Sequence, residues 1–327
     1  MILGTDCYIT AIYLFEGGEI PAGLDGAEGI ELFIVTSSAE IDILHEPRAR
    51  EILRASMPRG YTGEIVFVSI GCTGLFATVL EFVQRSVRYC RILALEAPAS
   101  FVQHTLDVAK LGDGGDGFIA QDVACVMDLS KERKGAIAKI GHCEILARRG
   151  SFGGTAKLSQ ELARCLENLC LRLPGAEIVT FENVSLWSQR LLQLLTVMLR
   201  EGAVPPPERW LPSIESDERH FMSVRPLLDM LSHINHTPPQ ALIVACLGAG
   251  GRIGLMALEW LRVDDGTTEP VRLTYEPTFG KADRHDLGEI ALLGEHDTVP
   301  VRPTHVLYAD REFYGRNNFY FQWTLRN

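Results

Sequence analysis

The stretch that decides the fold is Glu64–Arg85, EIVFVSIGCTGLFATVLEFVQR. Its first seven residues, five of them apolar, read as a short buried strand. Gly71-Cys72-Thr73-Gly74 follows without a linker, and Leu75–Arg85 carries apolar residues at helical spacing. Glycines on both sides let the backbone turn sharply at Cys72. A strand running straight into a helix through such a corner sets the cysteine at the helix N-terminus. Unpaired N–H groups and the helix dipole there favour a thiolate, and the same groups can hold an oxyanion. The other reading of Cys72 is a buried cysteine at a tight packing corner.

Outward from this corner, Ile30–Thr36, Arg91–Glu96 and Gly117–Met127 also read as buried strands. Lys157–Arg172 and Leu186–Arg200 read as amphipathic helices. Strands alternating with helices predict an α/β protein with largely buried sheets. Ala203–Arg219, with its Pro205–Pro207 run, reads as a connection with a short strand at most. Val263–Pro270 reads as a loop, Glu276–Pro300 lacks periodicity, and His305–Asp310 reads as a final strand. No repeat of 20–50 residues is visible.

The chain has 327 residues, 46% apolar and 22% charged, which fits a well-cored globular protein of about two domains. Apolar runs are broken within about a dozen residues, short of a bilayer span, and MILGTDCYIT lacks a basic leader. A cytoplasmic location with no membrane association is expected. With 31 basic and 42 acidic residues the net charge is -11, unfavourable for nucleic-acid binding. The eight cysteines form no CxxC pair, and His142-Cys143 has no companion pair at zinc spacing. No metal and no tightly bound cofactor are expected.

Val68–Gly74 resembles the nucleophile corner of β-ketoacyl synthases, in the thiolase superfamily. Five further stretches resemble that family in the same order. Arg91–Ala97 is similar to the strand after the nucleophile helix. Gly115–Ile119 with Val126–Leu129 is similar to its R-D-G-F-V…V-L-E stretch. Met198–Glu208 is similar to a helix end with a proline loop. Leu247–Leu258 is similar to the L-G-A-A-G-A-I-E stretch of the two-histidine, decarboxylating kind. Phe313–Asn318 is similar to the closing F-G-G-T-N turn. The resemblance runs from Gly60 to Asn327. It implies a thiolase-like αβαβα five-layer sandwich of two related halves, 1–145, shortened and carrying Cys72, and 146–327. A second register is available: Pro226–Met230, Leu242–Gly251 and Trp260 also resemble the closing segment of the His-Asn synthases. That register leaves Leu261–Asn327 as an unexplained extension, which the two-histidine register explains, so the two-histidine register is preferred.

In the two-histidine kind, two histidines stabilise the enolate left when carbon dioxide departs, and a lysine shapes the field. The first histidine window here is Trp210–Asp217, the second histidine position is Ala245, and the lysine falls near Gln240, so all three are replaced. His220, Glu215 and Asp217 are candidate bases. Gly71, Thr73, Ala245 and Gly248 are candidate substrate-binding positions. Phe313 and Tyr314 fall where the family gates its acyl tunnel, or they simply pack the last strand.

Two functions stay open. One is a β-ketoacyl-synthase-like protein of fatty-acid or polyketide-type biosynthesis, unable to decarboxylate and condense. It would act as a chain-length-factor-like partner in a heterodimer with an active ketosynthase. The other is an acyltransferase or thioester-processing enzyme. In that reading Cys72 takes an acyl group from an acyl carrier protein or acyl-CoA thioester. A homodimer is equally compatible with the resemblance.

Overall fold

The computed structural model describes residues 6–15, 24, 29–38, 47–96, 119–120, 123–147, 154–180, 186–199, 204–213, 219–234, 240–248, 252–261 and 305–308. The strands in chain order are β1 (Tyr8–Phe15), β2 (Leu32–Thr36), β3 (Glu64–Ser69), β4 (Tyr89–Glu96), β5 (Ile119–Ala120), β6 (Val123–Ser130), β7 (Ala138–Ala147), β8 (Glu177–Ile178), β9 (Arg219–His220), β10 (Ala241–Gly248), β11 (Arg252–Trp260) and β12 (His305–Tyr308). The helices are α1 (Pro47–Ser56), α2 (Gly74–Gln84), α3 (Gly154–Arg172), α4 (Leu186–Met198) and α5 (Arg225–Ile234).

Ten strands form one ladder in the order β12-β3-β2-β4-β6-β1-β7-β11-β10-β8. The seam is β1 against β7, joined through Tyr8↔Lys139 and Ile9↔Ala138 alone. From the seam outward on one side run β1, β6, β4, β2 and β3, paired antiparallel, antiparallel, parallel and parallel. On the other side run β7, β11, β10, β8 and the single bridge at Leu211, paired in the same sense. In both runs the spatial order is first, fifth, fourth, second, third in chain order. One βαβ-type topology is thus written twice. β12 lies outside this pattern and pairs parallel to the free edge of β3.

The helices complete the layering. α2 touches β2, β3 and β4 of the first run and β7 and β11 of the second, while α5 touches β10 and β6. These two helices therefore lie between the runs. α1 covers the outer face of the first run through Ala49, Ile52 and Leu53, and α3 and α4 pack together over the second. The layers read helix, sheet, helix, sheet, helix. The sequence of α2 explains its place: GLFATVLEFVQ is apolar on nearly every face, as a helix buried between two sheets must be. Leu75, Phe76, Val79 and Phe82 are fully buried, each contributing about 2 kcal/mol of apolar transfer.

Where α2 meets the second run, an added Cβ on Gly254 of β11 would sit 2.1 Å from the Phe76 ring, so the strand lies directly on the helix. Within the first run, Arg91 on β4 and Asp128 on β6 are cross-strand partners inside the core. Arg91 donates through Nε at 2.7 Å and Nη2 at 2.8 Å to the two carboxylate oxygens, and through Nη1 to the carbonyls of Leu24 and Ser56. Every charged atom is met, as a buried pair requires.

The expected strands and helices around Cys72 are present with ends shifted by a residue or two. The half-boundary expected at 145 falls inside β7. That strand pairs over nine residues with β11, from Arg252↔Ala147 to Trp260↔Ala138, and with β1 over two. Within Leu247–Leu258, read as a stretch inside the second half, Leu247–Gly248 and Arg252–Leu258 belong to the antiparallel strands β10 and β11, and β11 ends at Trp260. The strand expected at His305 exists, but on the edge of the first run. The expected loops at 263–270 and 276–300 lie outside the described residues. No helix among the described residues is long and apolar enough to cross a membrane.

Candidate active site

β3 ends at Ser69, and Gly71–Thr73 forms one 3₁₀ turn that leads into α2. Gly71 has φ +56°, a left-handed conformation that glycine adopts without a Cβ penalty. Thr73 Oγ1 donates to the Ile70 carbonyl at 2.9 Å and closes the turn. Cys72 sits within it, 7% exposed, and none of the cysteines in the described structure is in a disulfide. The next residue but one, Gly74, is glycine for a packing reason. Its φ is ordinary for a helix, but an added Cβ would lie 2.0 Å from Thr36 Oγ1 and 3.7 Å from Ser223 Cβ.

Ser223 belongs to the counterpart of this turn in the second run. Met222–Val224 is again a single 3₁₀ turn, and it leads into α5 as Gly71–Thr73 leads into α2. Its first residue, Met222, has φ +49°, an uncommon conformation for a residue with a long side chain. The two turns lie against each other, and the Met222–Val224 turn also touches the end of β4. Arg225, fully buried at the start of α5, anchors the second turn. It pairs with Asp229 at 3.0 Å and donates to the carbonyls of Thr180 at 2.7 Å and Ala245 at 3.1 Å, and to Ser213 Oγ at 3.1 Å.

At the end of β4 stands Glu96, 3% exposed. Its Oε1 accepts from Ser38 N–H at 2.8 Å, Ser223 N–H at 3.2 Å and Ser223 Oγ at 2.5 Å. Its Oε2 accepts from Ser38 Oγ at 2.7 Å and Ser37 Oγ at 3.4 Å. Burial raises the pKa of this carboxyl, and the hydrogen bonds from Ser223 and Ser38 pull the other way. Beside it, Thr36 Oγ1 is fully buried and has no hydrogen-bond partner among the described residues. Glu96, Ser223 and Thr36 were not singled out from the sequence. The available signal was a lone acid closing an otherwise apolar strand, RILALE, since a buried charge needs partners.

The residues expected at the site divide as follows. Gly71, Cys72 and Thr73 form the turn, and Gly248 adjoins it, its added Cβ falling 3.5 Å from Thr73 Cγ2. Ala245 does not join them. Side chains alternate along β10, so Ala245, with Ile243 and Leu247, packs into the cluster under α3 and α4, while Cys246 shares the cluster containing Cys72. Ala245 meets the site's frame through its carbonyl, held by Arg225. The backbone of His220 lies in β9, paired with Ala120 of β5, one residue before the turn-bearing segment begins. Glu215, Asp217, Phe313 and Tyr314 lie outside the described residues. In the window Trp210–Ser213, Trp210 is buried under the outer helices and Ser213 donates to Asp229 at 2.9 Å.

No protein-family model matches the chain, and no curated protein matches it. Solved structures do. ChlB3, described as an acyltransferase, superposes over 78% of this chain and 98% of its own, at 14% identity and a TM-score of 0.53. The fold is thiolase-like. Also similar are the cerulenin-bound OleA of Xanthomonas campestris, at 12% identity over 71% of this chain and 76% of that one, TM-score 0.47. The 3-oxoacyl-(acyl carrier protein) synthase III of Xanthomonas oryzae matches at 12% identity over the same shares, TM-score 0.48.

Proposed function

We propose that this chain is an acyltransferase that carries its acyl group on Cys72. The observation that carries the proposal is the built corner: a cysteine between Gly71 and Gly74, at the N-terminus of the central helix, faced by a second turn of the same form. The position favours the thiolate, which attacks the carbonyl carbon of an incoming thioester. N–H groups at the start of α2 stabilise the oxyanion, the donor thiol leaves, and acyl-Cys72 remains. An acceptor then takes the acyl group. The donors proposed are thioesters of an acyl carrier protein or of coenzyme A. That ChlB3 is described as an acyltransferase supports this reading.

The topology also supports the second of the two registers. The second run closes at Trp260, where the His-Asn synthase resemblance places its closing segment, and 261–327 is then an extension. On this register we propose that the two halves meet in the Lys131–Ile137 connection before β7, and that they pair with a second copy into a dimer.

The competing reading is a non-catalytic partner of an active ketosynthase, favoured by the replacement of both histidine positions and the lysine position. Intact-mass spectrometry separates the two. Incubation with octanoyl-CoA or an octanoyl carrier protein should add one octanoyl group, and Cys72→Ala should abolish the adduct. Absence of an adduct with every thioester, together with co-purification of a ketosynthase, would establish the partner reading instead.

A further inference from the structure

The ladder has two ends, and the chain finishes each of them differently. The second run stops at the single bridge between Val179 and Leu211, and Pro212, which has no N–H to offer, follows at once. The first run would stop at β3. That strand is six residues long, carries one charge, Glu64 at its start, and contains no proline. Val66, Phe67 and Val68 are buried, and β2 pairs with one edge, from Glu64 to Val68. Left bare, the other edge would present an uncharged row of open N–H and C=O groups, the kind that a strand of another chain extends. β12 lies along that edge instead, in parallel, from His305↔Val66 to Tyr308↔Ser69.

We propose that β12 is a blocking strand: it ends the sheet at β3 and denies that edge to a second copy of the chain. The dimer proposed above then joins through a surface other than the sheet edges. Blocking of β3 does not depend on the chemistry at Cys72.

Three features fit β12 to this role. It is four residues long against six in β3, so the edge it leaves is shorter than the edge it covers. Its neighbours in the sequence are those that blunt an edge: Arg302-Pro303 one residue ahead of it, and Asp310-Arg311-Glu312 one residue behind. It also comes after both runs are complete, since each has its five members in order without it. A strand that the repeated topology does not require, laid on an edge that needs covering, is explained by the covering. Its parallel direction carries the cover to the Cys72 end of β3, with Tyr308 opposite the last residue of that strand.

Hydrogen exchange read by mass spectrometry on the full chain, with light scattering for molar mass, tests the block. N–H groups alternate sides along a strand, so of Val306→Pro and Leu307→Pro one removes a bond to β3 and the other removes a group that faces away. In wild type, the β3 amides that face β12 should be protected, and equally so through the dilutions at which the copies separate. One of the two proline variants should exchange these amides ~10-fold faster or more in dilute solution, with α3 and β11 as protected as in wild type. On concentration the same variant should exceed the wild-type mass and recover protection in β3, as a second copy takes the vacant edge. Wild-type exchange and wild-type mass in both variants would overturn the block. Faster exchange with no gain in mass overturns it as well, because the bare edge then attracts no second copy. Where a proline variant loses protection throughout, the wild-type dilution series decides alone. Protection of β3 that fades as the copies separate means that a partner supplies the pairing, by its own β3 or by an exchanged β12, and the in-chain block is wrong. None of these results bears on acylation of Cys72, which intact mass reads separately.

Discussion

Gly254→Ala tests the layered architecture at its tightest point. Gly254 lies mid-strand in β11, with Cys246 of β10 on one side and Ile145 of β7 on the other, so its backbone is fixed by ladders on both edges. The new methyl would stand 2.1, 2.4 and 2.5 Å from Cδ2, Cε2 and Cγ of Phe76. Contacts below 3 Å cannot persist, and Phe76 is itself fully buried in the central helix layer, so α2 or the strand must move. The backbone conformation of Gly254 is not left-handed, so alanine otherwise gains up to about 1 kcal/mol through the unfolded chain. Overpacking of this severity costs about 3 kcal/mol or somewhat more. The net loss is therefore about 2–3 kcal/mol, read as a lower urea midpoint at unchanged slope. The decisive control is Phe76→Ala, which alone costs about 3–5 kcal/mol. In that background the methyl has room, and Gly254→Ala becomes neutral or mildly stabilising, a coupling of ~2–3 kcal/mol. A stability within about 0.5 kcal/mol of wild type for Gly254→Ala alone, or the same cost in both backgrounds, would refute direct seating of β11 on α2.

Gly71→Ala meets no atom within 4 Å, so its cost is the left-handed backbone alone, about 1–2 kcal/mol by denaturation. Gly71→Asn should cost less and Gly71→Val more, and equal costs for all three would contradict the assigned φ. Asp128→Leu leaves Arg91 charged and without its carboxylate in the core and should cost about 3–5 kcal/mol, whereas Arg91→Met with Asp128→Leu should recover much of it; calorimetry on wild type and the two variants checks this. Glu144 on β7 accepts from His142 Nε2 at 2.8 Å, which with further hydrogen bonding lowers its pKa to about 2. A depressed folded pKa adds stability above the unfolded value near 4.5 that is lost as pH falls toward 2. Glu144→Gln should therefore be less stable than wild type at pH 7 and converge with it near pH 2, and a difference independent of pH would exclude the ionised carboxylate as its cause.

Much of the first run was legible because its strands are continuous apolar segments bounded by turn residues, the pattern that buried parallel strands produce. IELFIVT, EIVFVSI and RILALE became β2, β3 and β4 with small changes at their ends. The second run was less legible. Its second strand, Glu177–Ile178, has two residues, and its third is the lone bridge at Leu211. Neither is long enough to show a period. β10 and β11 are apolar but were not read as strands, pairing partners are tertiary facts, and the glycines of LGAGGRIG are compatible with a turn as well as a site loop. The preference between the two registers rests on that ambiguity.

The site was half legible for a related reason. Gly71 and Gly74 flag the first turn because one supplies the left-handed φ and the other makes room for Thr36 and Ser223. The second turn reaches the same backbone form with Met222 in the left-handed position, at a cost of about 1–2 kcal/mol that glycine would avoid. Nothing local in HFMSVR announces it. What holds it is non-local: the Ser223 amide on Glu96, 127 residues away in sequence, and Arg225 tied to Thr180, Ala245 and Asp229. A turn that needs such distant partners is specified by the assembled fold and not by its own residues. The same partners fix Ser223 against Gly74, so the strain at Met222 and the placement of the Ser223 hydroxyl share their structural causes, the buried carboxylate of Glu96 and the anchored Arg225.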